Sequence, residues 1–133
     1  MVDPVVHFEV IGKDPERLRR FYGDLFGWEY ALPAPVAPAI SDTADYGFVT
    51  NVADAGTGIP GGIGGGPGFE SHLIFYVGVA DVEDALQRAE SLGGHRILGP
   101  ELNAAGGVVV GHFADPEGNV MGVAGAAPTE PDQ

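Results

Sequence analysis

A chain of 133 residues has room for one domain, or for two small modules that share a core. Its 19 acidic residues against 6 basic ones leave a net charge of −13, which excludes a nucleic-acid binder working by phosphate neutralisation and disfavours docking on anionic membranes. With 44% hydrophobic residues and no cysteine, the chain is neither disordered nor built on disulfides or thiolate metal sites.

In chain order, Val5 to Ile11 reads as a strand. Asp14-Pro15-Glu16 then starts a helix, with Asp14 as N-cap and Pro15 at the first helical position. Leu18, Phe21, Tyr22 and Leu25 follow at helical spacing and predict one apolar face. Gly27 ends that helix, and Trp28 to Tyr30 opens another strand. Ala31 to Ala44, rich in Ala and Pro, predicts a surface loop, and Tyr46 to Val52 a further strand. Ala53 to Ser71 holds eight glycines and reads as a linker.

The second half repeats the pattern. His72 to Val77 is a strand, Asp81 caps a helix with Val82, Ala85, Leu86, Ala89 and Leu92 on one face, and Gly93-Gly94 stops it. Strands are predicted at His95 to Leu98, Val108 to Ala114 and Val120 to Ala124. His7 and His72 lie 65 positions apart, whereas Asp14/Asp81, Leu25/Leu92 and Gly27/Gly94 lie 67 apart, so one two-residue insertion separates the copies. Such a repeat implies two supersecondary units, neither able to bury its apolar face alone. No stretch reaches the roughly 20 apolar residues of a membrane span, and Met1 to Pro4 does not read as a signal peptide, so a cytoplasmic domain is expected.

His7-Phe8-Glu9-Val10 leading into Arg20 to Trp28, then His72 to Val77, then Phe113-Ala114-Asp115-Pro116-Glu117-Gly118-Asn119, together resemble the vicinal oxygen chelate superfamily. That family includes glyoxalase I, extradiol dioxygenases, fosfomycin-resistance enzymes and bleomycin-resistance proteins. The resemblance implies an α+β fold in which two βαβββ modules, at about 5–55 and 70–125 of a single domain over 1–125, curl mixed sheets into a cup. It makes 53–71 a glycine-rich linker and 126–133 a flexible tail. It also implies a homodimer with symmetry-related sites.

Enzymes of this family hold a divalent metal, and His7 and His72 match two of its ligand positions. Imidazole suits zinc, nickel or ferrous iron. The family's closing-strand glutamate falls at Gly122, and its counterpart falls in Pro60 to Gly64, which has no side-chain donor. The favoured reading is therefore a metal-independent, cofactor-free protein that binds and sequesters a neutral or cationic small molecule, aromatic or cationic, such as an antibiotic. Its expected binding pocket draws on His7, Glu9, Trp28, Phe48, His72 and His112. Strand alternation puts Glu9 on the face of His7, and Trp28, Tyr46 and Phe48 could supply aromatic walls. Two alternatives stand beside it. One is a metal-dependent glyoxalase-like lyase, isomerase or dioxygenase using His7 and His72, with Glu9 or His112 as third donor. The other is a metal-free enzyme with a histidine as general acid or base.

Gly56 to Gly61 fits G-x-G-x-x-G but leads into no helix and is broken by Pro60, so it is set aside. Asp115 and Glu117 read as turn residues. Lys13, Arg17, Arg19 and Arg20 read as a solvated helix face, and His95 as exposed.

Overall fold

The computed structural model describes residues 2–52, 56, 58–103 and 107–127. The first module runs β1 (Val5–Gly12), α1 (Pro15–Phe26), β2 (Tyr30–Ala31), β3 (Gly47–Val49) and β4 (Gly61–Gly65). The second runs β5 (His72–Gly78), α2 (Val82–Ser91), β6 (His95–Asn103), β7 (Val108–Ala114) and β8 (Val120–Ala126). The βαβββ order thus occurs twice. All eight strands join one sheet in the order β2-β3-β4-β1-β5-β8-β7-β6. The two opening strands, β1 and β5, lie antiparallel at its centre, and each has its own module's closing strand parallel on its other side. The sheet is open and cup-like, with one concave and one convex face.

Both helices begin where the caps predict. The Asp14 side chain accepts the Arg17 N–H and the Asp81 side chain accepts the Asp84 N–H, each satisfying a first-turn donor that lacks an intrahelical partner. Gly27 ends α1 at φ 75°, a left-handed conformation that glycine adopts without the Cβ clash other residues suffer. The predicted apolar face of α1 is another matter. Phe21 and Leu25 are exposed, while Arg19 is buried, which corrects the reading of Arg19 as part of a solvated face. Its guanidinium donates to the carbonyls of Asp45 and Ile63 and to the Asp45 carboxylate at 2.7 Å, so its charge is neutralised and its donors are used. Glycine at 47 leaves the space that the Arg19 stem occupies.

Two segments with no periodic signal turn out to be structural. Within the expected linker, Gly61 to Gly65 forms β4, buried throughout and paired with both β1 and β3. A glycine run has no side-chain alternation to announce a strand, yet only glycine leaves room there for the rings of Phe8 and Tyr46. Likewise Ala31 to Ala44 is not simply a surface loop. Ala34, Ala37 and Ile40 pack with Ile11 and Tyr46 in a buried cluster on the concave face, as small apolar residues do when their backbone polar groups find partners. A second cluster of Val82, Leu86, Val109 and Val123 fixes α2 to the convex side. The expected tail starts later than 126, because Ala126 still belongs to β8; residues 128–133 lie outside the described ones, as do 53–55 and 57 of the expected linker. Among the described residues no helix is long and apolar enough to cross a membrane.

Candidate functional site

Residues in register on neighbouring strands share a face of the sheet. One such row runs across the cup. His7 on β1 lies opposite Tyr76 on β5, Tyr76 beside Gly122 on β8, and Gly122 opposite His112 on β7. A second row starts at Glu9 on β1 and passes Gly62 on β4 to Phe48 on β3. Tyr46, two residues before Phe48, reaches back over Gly62.

The hydroxyls of both tyrosines converge on Glu9. Tyr46 donates to its Oε2 at 2.9 Å and Tyr76 to its Oε1 at 2.8 Å. Outside each tyrosine stands a histidine, with His7 Nε2 3.1 Å from the Tyr46 hydroxyl and His112 Nε2 2.7 Å from that of Tyr76. The result is a continuous chain, His7–Tyr46–Glu9–Tyr76–His112, symmetric about one carboxylate and drawn from both modules.

The glycines make this chain possible. A Cβ at Gly122 would collide with the Tyr76 ring, and one at Gly62 with the Tyr46 phenol. Each tyrosine therefore lies across a closing strand that has been cut down to backbone. The Tyr76–His112 bond spans from β5 to β7 over β8, and the Tyr46–Glu9 bond spans β4 in the same way.

Burial sets the electrostatics. Glu9 is only 3% exposed, and loss of water around its carboxylate pushes its pKa up to about 7, against the opposing pull of the two hydroxyl donors. His7 is pushed down to about 4 by burial, and His112 likewise, with the nearby His72 adding a smaller push. Both imidazoles are therefore neutral at pH 7. The Tyr46 and Tyr76 phenols are raised by burial and by the neighbouring Glu9 charge, and stay protonated.

Above this floor opens a cavity of about 520 Å³, within the range of small-molecule sites. His7, Glu9, Tyr46, Phe48 and Tyr76 line its base. Its walls come from Val6, the 31–40 segment, Val108, Val110 and Ala124, all apolar, and from Asn103, a polar side chain that is already partnered. The His7 ring stacks on Phe48 at a centroid distance of 5.8 Å.

The structure thus brings together His7, Glu9 and Phe48 on the cavity, and joins His112 to them through Tyr76. It does not bring Trp28 or His72 there. Trp28 packs instead with Phe8, Tyr22 and Phe26, because Phe8 alternates to the face opposite His7. His72 lies opposite Ile11 rather than His7; it is exposed and its Nδ1 sits 2.9 Å from the Glu70 carbonyl. No insertion separates the copies: β1 opens at Val5 and β5 at His72, each the same distance before its helix cap at Asp14 or Asp81, so the positional counterpart of His7 is Ile74. Antiparallel pairing then sets Tyr76 opposite His7 and leaves His72 roughly 13 Å further along the strand. Tyr76 is the residue that sequence reasoning missed. Its signal was a large aromatic at even spacing from His72, combined with a glycine in the strand expected beside it.

A divalent metal does not fit these residues. Both Glu9 oxygens and the Nε2 atoms of His7 and His112 are turned to tyrosine hydroxyls, and Tyr76 stands between Glu9 and His112. Among the described residues no three His, Asp or Glu side chains gather where one ion could hold them.

The family model described as the Glyoxalase/Bleomycin resistance protein/Dioxygenase superfamily matches residues 5–123. Among solved structures, the chain is similar to methylmalonyl-CoA epimerase from Mycobacterium tuberculosis at TM-score 0.67 and 11% identity, covering 93% of this chain and 88% of that one. It is similar to the hypothetical protein BH1468 from Bacillus halodurans C-125 at TM-score 0.66 and 13% identity, over 99% and 100% of the two chains. A glyoxalase/bleomycin resistance protein/dioxygenase superfamily member from Vibrio splendidus 12B01 aligns at TM-score 0.58 and 18% identity, over 93% and 99%. At these identities the likeness is one of fold. No curated protein matches the chain.

Proposed function

The chain belongs to the Glyoxalase/Bleomycin resistance protein/Dioxygenase superfamily, and from that premise we propose that it is a metal-independent protein that binds a small, largely apolar aromatic molecule in its cup. The observation that carries this reading is the pairing of an apolar cavity of about 520 Å³ with a polar floor whose groups already satisfy one another. Burial of apolar surface drives binding to such walls, at roughly 25 cal/mol per Å², while the floor supplies orientation. A cationic ligand has less support than an aromatic one, since Glu9, the only acidic lining residue among those described, already accepts two hydroxyls. Anions are disfavoured by the net charge of −13. Sequestration of such a compound, as in antibiotic resistance, is the biological role this reading offers.

A homodimer is part of the same proposal. Leu73 and Phe75, on the convex face of β5, are 70% and 55% exposed and supply apolar surface that a second copy would cover. The metal-dependent alternative that pairs His7 with His72 loses its support, because His72 lies away from the cavity.

Calorimetric titration with a panel of neutral, cationic and anionic aromatic compounds tests the reading. Saturable binding near one molecule per chain, unchanged by chelator and with the compound recovered intact, is the expected result. Recovery of an altered compound, or binding that requires an added divalent ion, would overturn it. A sedimentation mass of one chain would remove the dimer.

A further inference from the structure

The hydrogen-bond chain on the cavity floor has a direction, and that direction selects a ligand chemistry. Each tyrosine has a single hydroxyl proton, and both protons are donated to Glu9. The phenolic oxygens can then only accept from the histidines. So Nε2 of His7 and Nε2 of His112 must each carry hydrogen. A neutral imidazole with its proton on Nε2 presents a bare lone pair at Nδ1.

For His7 that atom is the open one. The ring lines the cavity, its hydrogen bond is made through Nε2, and no buried side-chain nitrogen or oxygen among the described residues lacks a partner. Nδ1 therefore remains accessible, beside a ring that stacks on Phe48.

We infer that His7 Nδ1 is a fixed hydrogen-bond acceptor at the cavity floor, and that the ligand is an aromatic molecule carrying a hydrogen-bond donor, a phenolic hydroxyl or ring N–H, rather than a carbonyl or ether. This deepens the binding reading above and rests on it. The remaining groups facing Glu9 agree with the polarity. β4 and β8 present Gly62 and Gly122, β5 presents Ile74 directly opposite Glu9, β1 presents His7, and β7 presents His112 beyond Tyr76. Among the described residues that line the cavity there is no Lys or Arg to reverse the bonds. Burial holds both imidazoles neutral, and above pH 7 Glu9 is ionised.

Two measurements at pH 8 test the assignment on the intact protein. Nitrogen-15 spectra of the histidine rings read the tautomer directly; His7 is expected with protonated Nε2, and a protonated Nδ1 would overturn the inference. Calorimetry compares 2-naphthol with 2-methoxynaphthalene, which keeps the ring and loses the donor. The naphthol is expected to bind at least tenfold more tightly, and Tyr46→Phe, which releases His7 from its orientation while keeping the ring, should shrink that ratio several-fold. Equal binding of the two probes would overturn the inference and leave the binding reading standing. Binding of neither would remove both.

Discussion

Tyr76 and Gly122 occupy complementary space: the phenol ring lies where a Cβ on the neighbouring strand would stand. The same relation joins Tyr46 to Gly62. Each ring needs its glycine, and each glycine leaves a void without its ring.

That mutual dependence makes a double-mutant prediction. Gly122→Ala forces a methyl into the Tyr76 ring, and overpacking of this kind costs about 1–3 kcal/mol. Tyr76→Val also destabilises, by removing the ring and its bond to Glu9. In the double variant the methyl has room, so its cost should shrink by at least half. Urea unfolding of the four proteins yields the coupling. Strict additivity would show that ring and glycine do not compete for the same space.

The buried titratable groups set a distinctive stability profile with pH. Glu9 rises from its ordinary 4.5 to about 7 on folding, so its contribution is full below 4.5 and is lost as pH rises through 7. His7 and His112 fall from 6.5 to about 4, so theirs is full above 6.5 and is lost as pH falls through 4. Between 4.5 and 6.5 two histidines oppose one carboxyl. Stability should therefore climb with a net slope near one proton, about 1.4 kcal/mol per pH unit at most. From 6.5 to 7 only Glu9 still titrates, and stability should slip back. Glu9→Gln should steepen the acid limb and abolish the decline above 6.5. Urea midpoints at pH 5, 6.5 and 8 check both features, and a wild-type profile as steep as that of the variant would refute the Glu9 assignment.

Arg19 offers a contrast between charge and shape. Arg19→Met keeps the stem but removes three hydrogen bonds, two of them to the carbonyls of Asp45 and Ile63. The expected loss is about 2–3 kcal/mol, less than for a fully buried pair because Asp45 keeps partial contact with water. Arg19→Lys should recover only part of it, since an ammonium cannot reproduce the planar fork. Asp45→Ala should cost about 1 kcal/mol, because the bonds to backbone survive. Thermal melts of the three variants test this ranking.

Why the sequence revealed the modules but only part of the site follows from the same residues. Capping at Asp14 and Asp81 and the left-handed stop at Gly27 are local chemistry, visible wherever those residues stand. Repetition then supplied the architecture. Strand alternation put Glu9 beside His7, and both line the cavity. Cross-strand register was not legible, because pairing two histidines by residue type implied an insertion that the strands do not contain and misplaced which residue faces His7. A spacing match selected His72 where packing selects Tyr76. β4 was hidden for a related reason: its meaning lies in the rings that fill its missing side chains, and those come from Phe8 and Tyr46, distant in sequence.

The wall of the cavity depends on one hydroxyl. Ser41 is fully buried; its Oγ accepts the Gly65 N–H at 2.8 Å and fastens the end of the 31–40 segment to β4. Beside it, the Asp42 N–H donates to the Gly65 carbonyl and the Ala34 N–H to the Tyr46 carbonyl, so the segment is held at both ends. Ser41→Ala leaves a buried amide of Gly65 without its acceptor, at a cost of about 1–3 kcal/mol. The segment carries Ala34, Ala37 and Ile40 into the cup, so loosening it should open the cavity before the whole domain unfolds. Amide exchange at Ile40 and Asp42 is expected to accelerate by more than tenfold in the variant while exchange in α2 changes little. An aromatic ligand, bound against these same residues, should slow exchange at Ile40 in the wild type and do so less in Ser41→Ala. Uniform acceleration across Ile40, Asp42 and α2 would instead mean that Ser41 supports global stability alone, with no separate hold on the cavity wall.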